Sequence, residues 1–163
     1  MNFLRRLHGT DIDISAIGLG TVKFGRNEGV KYPESFIIPD DKSIQNLLLQ
    51  AKELGINFID TAPAYGTSEE RIGKLLSHRQ DWVISTKVGE EFIKGQSHFG
   101  YSAEHTQYSI ERSLQRLQTD YLDIVLIHSD GNDEEILHDS ACLETLLNLQ
   151  EKGLIRAIGM SAK

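Results

Sequence analysis

The sequence predicts an α/β protein: an N-terminal hairpin, then about five parallel strands alternating with four helices, an incomplete (β/α) series of the TIM-barrel type. Three observations predict it. Apolar runs near residues 16–20, 57–60, 82–86, 122–128 and 155–160 alternate with segments of helical period. The runs are apolar almost throughout, as expected of parallel strands covered on both faces. The stretch LLLQAKELGINFID resembles LLNLQEKGLIRAIG, so one helix–Gly–strand unit recurs.

Each element has its own signal. LRRLHGTDIDI (4–14) reads as two short strands around His8-Gly9-Thr10-Asp11, hence a hairpin. Residues 43–54 put Ile44, Leu47, Leu48 and Ala51 on one helical face, and Gly55 follows as a stop. Ile72, Leu75 and Leu76 restore helical spacing, with Thr67 and Glu70 placed for a capping box. Ser102 caps a helix carrying Ile110, Leu114 and Leu117. Residues 140–152 are helical through Leu143, Leu146 and Leu147, and Gly153 ends them. The acidic run Asp133-Glu134-Glu135 is a solvated loop or a first helical turn, and Cys142 packs in the core. The longest loop, 25–42, is long enough to suspect a function. Phe24, Tyr32 and Phe36 either offer apolar substrate contacts there or ride on a surface excursion.

Bulk properties bound the function. The 163 residues suffice for one domain, taken as 1–163, with a real core. A net charge of −7 disfavours nucleic acid and membrane surfaces as partners. A single cysteine excludes an internal disulfide and suits a reducing, cytoplasmic location. No apolar run is long enough to span a bilayer. The histidines His8, His78, His98, His105 and His138 lack metal-ligand spacing, so no metal is expected.

A βα series can build an open sheet or a barrel. The open dinucleotide-binding sheet usually carries G-x-G-x-x-G after its first strand. Here Gly18-Leu19-Gly20-Thr21 has no third glycine in place, and the G-x-G alone is a weak signal. A barrel instead gathers its chemistry at the C-terminal ends of its strands. The second strand ends in Asp60, the third in Lys87 and the fourth in His128, with Tyr65 on the loop after Asp60. A tyrosine can give a proton to a carbonyl oxygen that becomes an alkoxide, and an ammonium beside it stabilises the tyrosinate left behind. Asp60 would hold Lys87, and His128 would orient the carbonyl. None of these groups supplies a hydride, so a cofactor must. Each residue also has a plainer reading: a turn cap, a loop tyrosine, a solvated lysine, a turn histidine. Four such coincidences at successive strand ends are less economical than one site.

IDTAPAYG, ISTKVG, the strand ending LIHS and the opening GLGTVKFGR resemble the aldo-keto reductase superfamily. The resemblance runs along the entire chain. It implies a (β/α)8 barrel that uses NADPH to reduce an aldehyde or ketone, with Asp60, Tyr65, Lys87 and His128 as a catalytic tetrad. It also implies that Gly20, Thr21, Asp60 and Ser161 lie at the nicotinamide. Better-known members continue with Asn after that serine, where this chain has Ala162.

A closed barrel takes about 250 residues. The chain is therefore expected to be the N-terminal portion of one, with weak or absent NADPH binding by itself. The alternative function is a non-catalytic module that keeps the site but self-associates or binds a partner. Open edges at 16–20 and 155–160, exposing Ile17, Leu19, Ile155 and Ile158, are expected to drive homo-oligomerisation.

Overall fold

The computed structural model describes residues 4–162. Leu4–Arg6 (β1) and Asp13–Ser15 (β2) form the expected antiparallel hairpin, with Leu4 opposite Ser15. Its turn is closed by Leu7 N–H donating to Ile12 O at 2.8 Å and Thr10 Oγ1 donating to Leu7 O at 2.8 Å.

Five parallel strands follow: Gly18–Gly20 (β3), Phe58–Asp60 (β4), Val83–Val88 (β5), then, after a hairpin, Leu122–His128 (β8) and Ile155–Ser161 (β9). They lie side by side in chain order, β3-β4-β5-β8-β9. An open doubly wound sheet reverses its order at a switch point; this sheet never does, and it forms part of an α/β barrel. The hairpin between β5 and β8, Glu90–Ile93 (β6) with Gln96–Phe99 (β7), is an element that the sequence reading missed. Its strands are short and mostly exposed, so they carry no apolar period.

Helices cover the outside: Val22–Gly25 (α1), Asp41–Glu53 (α2), Ser68–Leu75 (α3), Ala103–Leu117 (α4), Asp133–Asp139 (α5) and Cys142–Glu151 (α6). Asp40 caps α2, its carboxylate accepting from Ser43 N–H at 2.7 Å, and Ser102 caps α4 through His105 N–H at 3.2 Å. Ile44, Leu48 and Ala51 of α2 are buried as read, but Leu47 is exposed. Ile72, Ile110, Leu117 and Leu146 join Ile59, Ile84, Val125 and Ile127 in the main core. Each fully buried aliphatic side chain contributes about 1.5–3 kcal/mol.

Several expectations are corrected. The Thr67–Glu70 capping box does not form, because Thr67 sits at φ −88°, ψ 11° rather than in the extended conformation a cap requires. The helix expected over 140–152 is α6, and a separate helix, α5, precedes it and opens on the acidic run Asp133-Glu134-Glu135. Ser140 breaks them apart, its hydroxyl donating to Ile136 O at 2.5 Å and accepting from Cys142 N–H at 3.2 Å. Phe24 is a core residue, not a substrate contact. Tyr32 and Phe36 meet edge to face, 5.5 Å between centroids, and Lys23 Nζ lies over both rings. Of the edge residues, Ile17 is 68% exposed but Ile155 is only 2% exposed, because α6 packs over β9.

Alternation along the strands separates two layers. Ile59, Ile84, Val125 and Ile127 face the helices. Phe58, Val83, Ile124, Leu126 and Ala157 form a second cluster with Leu7, Ile12 and Ile14 of the hairpin segment. The hairpin therefore closes the lower end of the sheet. At that end Asp123, nearly inaccessible, accepts from Ile84 N–H at 3.0 Å and from Arg79 and Arg156, each at 2.7 Å. Continuing the inward parity toward the strand C-termini leads from Phe58 to Asp60, from Val83 through Ser85 to Lys87, and from Leu126 to His128.

Candidate active site

Register places the sequence-predicted residues along one rim. Asp60 is level with Gly20 on one side and Ser85 on the other, and His128 is level with Ser161. Lys87 is 4% exposed. Its ammonium donates to Asp60 Oδ1 at 2.8 Å, Asp60 Oδ2 at 2.9 Å and Thr61 O at 2.9 Å. A buried ammonium needs such partners, since an unpaired one would cost several kcal/mol. Its Nζ also lies 4.8 Å from the centroid of the Tyr65 ring. Asp60, Lys87 and Tyr65 thus form one contact group.

Tyr65 ends a single 3₁₀ turn, Pro63–Tyr65, and is half-buried. Proline pre-sets the first φ of that turn. Gly66 follows at φ +64°, which few other residues tolerate. Below the turn lies a buried hydroxyl network. Thr21 Oγ1 donates to Asp60 O at 2.8 Å. Ser68 Oγ is 2.9 Å from Thr21 Oγ1, and Thr61 Oγ1 donates to Ser68 Oγ at 3.0 Å. These bonds fix the loop to the strand that delivers Asp60. Thr21 is fully buried and its hydroxyl is spent inside the protein.

His128 closes β8 at the same rim. Its Nδ1 lies 3.0 Å from Glu90 Oε2, and its backbone carbonyl accepts from Tyr101 Oη at 2.8 Å. Burial pushes the Tyr101 phenol well above its ordinary value, which keeps the proton available for that bond. Glu90 also stands 3.9 Å from Arg26 Nη1, and that nitrogen donates to Ala64 O at 3.0 Å, beside Tyr65. Burial pulls the Arg26 guanidinium below its ordinary value, while Glu90 and Tyr65 hold it up. Sequence reasoning missed Glu90, Arg26 and Tyr101. The available signal was a carboxylate three residues past Lys87, immediately after Gly89.

Residues 16–163 match the Aldo/keto reductase family. The chain belongs to that family. An aldo-keto reductase structure from Pseudomonas aeruginosa is 53% identical with a TM-score of 0.91, and the match covers 99% of this chain and 60% of that one. Aldo-keto reductase AKR11C1 from Bacillus halodurans is 30% identical with a TM-score of 0.81, covering 99% and 51%. L-galactose dehydrogenase from Arabidopsis thaliana is 34% identical over 97% of this chain and 48% of its own length. The NADH-specific methylglyoxal reductase of Escherichia coli is 33% identical over 92% and 49%. The chain spans about half the length of the curated relatives it matches. No helix among the described residues is long and apolar enough to cross a membrane.

Proposed function

We infer that the protein carrying this chain reduces an aldehyde or ketone to an alcohol with a nicotinamide cofactor, NADPH in our reading. The observation that carries the inference is the buried Lys87 ammonium, locked by both oxygens of Asp60 and lying against the Tyr65 ring. Tyr65 donates a proton from its hydroxyl to the carbonyl oxygen as that oxygen becomes an alkoxide. The Lys87 ammonium stabilises the tyrosinate that remains, and Asp60 keeps the ammonium in place. His128 orients the carbonyl by a hydrogen bond from its ring. The bound cofactor supplies the hydride.

The rim suits the nicotinamide end of such a cofactor. A methyl group built on Gly20 would meet nothing within 4 Å, so a flat ring can lie against that strand end. Ser161 is half-buried beside His128 and has a hydroxyl for a carboxamide. Thr21 serves through its backbone position rather than its side chain.

Tyr65→Phe is the direct test. It should cut kcat by about 10² to 10⁴ while leaving cofactor affinity unchanged by fluorescence titration. Equal turnover would remove Tyr65 as the acid. Relatives named for methylglyoxal make small 2-oxoaldehydes the first substrates to try, and parallel assays with NADPH and NADH test the cofactor preference. Absence of binding to either cofactor in a fluorescence titration would favour the non-catalytic alternative. The edges of β3 and β9 support self-association of the chain on its own; light scattering at low micromolar concentration should exceed 18.3 kDa, and a monodisperse monomer would exclude it.

A further inference from the structure

One carboxylate at the rim has no part in the mechanism above. Glu90 opens β6 immediately after Gly89, and its side chain is 13% exposed. Its Oε2 lies 3.0 Å from His128 Nδ1. Its Oε1 accepts from Ser97 Oγ at 2.6 Å, across the β6–β7 hairpin. Arg26 Nη1 stands 3.9 Å away and is itself anchored to Ala64 O. The rest of that guanidinium donates to Glu28 O and Gly29 O and lies 3.4 Å over the Phe92 ring. Two charged groups this far from water are expensive, and apolar side chains of similar size would pack as well. Packing alone therefore does not account for them.

We propose that Glu90 is a positioning residue for His128: its carboxylate, 3.0 Å from Nδ1, favours the doubly protonated ring, in which Nε2–H can donate to a carbonyl oxygen. A neutral imidazole has one donor and one acceptor nitrogen, whereas the imidazolium has two donors. Nδ1 is the ring nitrogen nearest Glu90, at 3.0 Å, which leaves Nε2 for the carbonyl. A carboxylate at 3.0 Å stabilises the charged ring. Arg26 opposes that charge from beyond Glu90 but also fixes the carboxylate, tying it to the loop that bears Tyr65. The other charged groups around the ring are already engaged: Lys87 with Asp60, Glu91 with Arg112 on α4, and Asp133 with Ser129. Asp130 follows two residues after His128 in the chain, and its charge acts on the Tyr101 hydroxyl that donates to the His128 carbonyl.

The proposal rests on the reading of His128 as the group that orients the carbonyl, and two measurements keep the two apart. The first is NMR of the ¹⁵N-labelled histidine ring across pH in the full protein. Glu90→Gln should weaken proton binding at His128 by about tenfold or more. The second is steady-state kinetics. Glu90→Gln should lower kcat several-fold and move the alkaline limb of its pH profile to lower pH, with cofactor KM unchanged; Glu90→Asp should restore part of both. If Glu90→Gln does not fold, Ser97→Ala, at an exposed position, loosens the same carboxylate and should give a smaller change of the same sign. An unchanged His128 titration in both variants would overturn the proposal and leave the Tyr65 mechanism standing. A weakened titration with unchanged turnover would instead overturn the role of His128 in catalysis.

Discussion

Gly25, the last residue of α1, tests how tightly the Tyr65 loop is seated. A Cβ added there would lie 2.3 Å from Ser68 N, 2.4 Å from Tyr65 O and 2.5 Å from Thr67 N. Ordinary contact for a Cβ begins at 3.4 Å, so Gly25→Ala demands a separation of about 1 Å. All three neighbours are backbone atoms, and no side chain can swing aside to relieve the clash. Gly66 approaches from the other side, where a Cβ would lie 2.2 Å from Gly25 O. Overpacking of this kind costs about 1–3 kcal/mol. At roughly 2–4 °C per kcal/mol for a protein of this size, melting should fall by about 2–12 °C. A 1 Å displacement of a catalytic group costs about 10²-fold in rate, so turnover in the protein that carries this chain should fall by that order. Thermal unfolding followed by circular dichroism and initial-rate assays measure the two effects. Wild-type melting together with wild-type turnover would refute the claim that the α1 backbone sets the position of Tyr65.

Two further outcomes follow from the buried charges. Lys87→Met leaves Asp60 and Thr61 O without their partner. Breaking a buried pair costs about 3–5 kcal/mol, and because the Asp60 side chain is 33% exposed, water recovers part of it, so a loss of about 2–3 kcal/mol is expected in urea unfolding; a change within error would show that the pair is solvated. Glu69, fully buried on α3, accepts from Thr86 Oγ1 at 2.6 Å, yet burial pushes its carboxyl above the ordinary glutamate range despite Thr86, Ser113 and Arg116. The folded state then holds the proton more tightly than the unfolded chain, so the stability from this group is present at low pH and is lost as pH rises through the folded value. Glu69→Gln should flatten that decline in denaturation midpoints measured between acid and neutral pH, and an unaltered slope would count against it.

The N-terminal hairpin, the five parallel strands, four of the helices and the rim positions of Asp60, Lys87 and His128 were legible in the sequence because each depends on a local signal. An apolar run buried on both faces reads the same wherever the strand ends up, and a polar residue at its C-terminal end is visible as a break in that run. Other features had no such signature. Leu47 falls on the expected face of α2 but is exposed, because burial depends on how far α3 and the sheet extend beneath it. The Thr67 cap failed because its backbone angles lie outside the extended region, in a segment packed against Gly25, 42 residues earlier in the chain. The β6–β7 hairpin is short and exposed, yet it delivers Glu90 to His128 across 38 positions of sequence. Thr21 shows the same division. Its place at the end of the first strand could be read directly, but only the packing of Ser68 and Thr61 against it turned its hydroxyl inward. Periodicity determined which residues reach the rim; long-range packing and the requirement that buried polar groups find partners decided which of them touch.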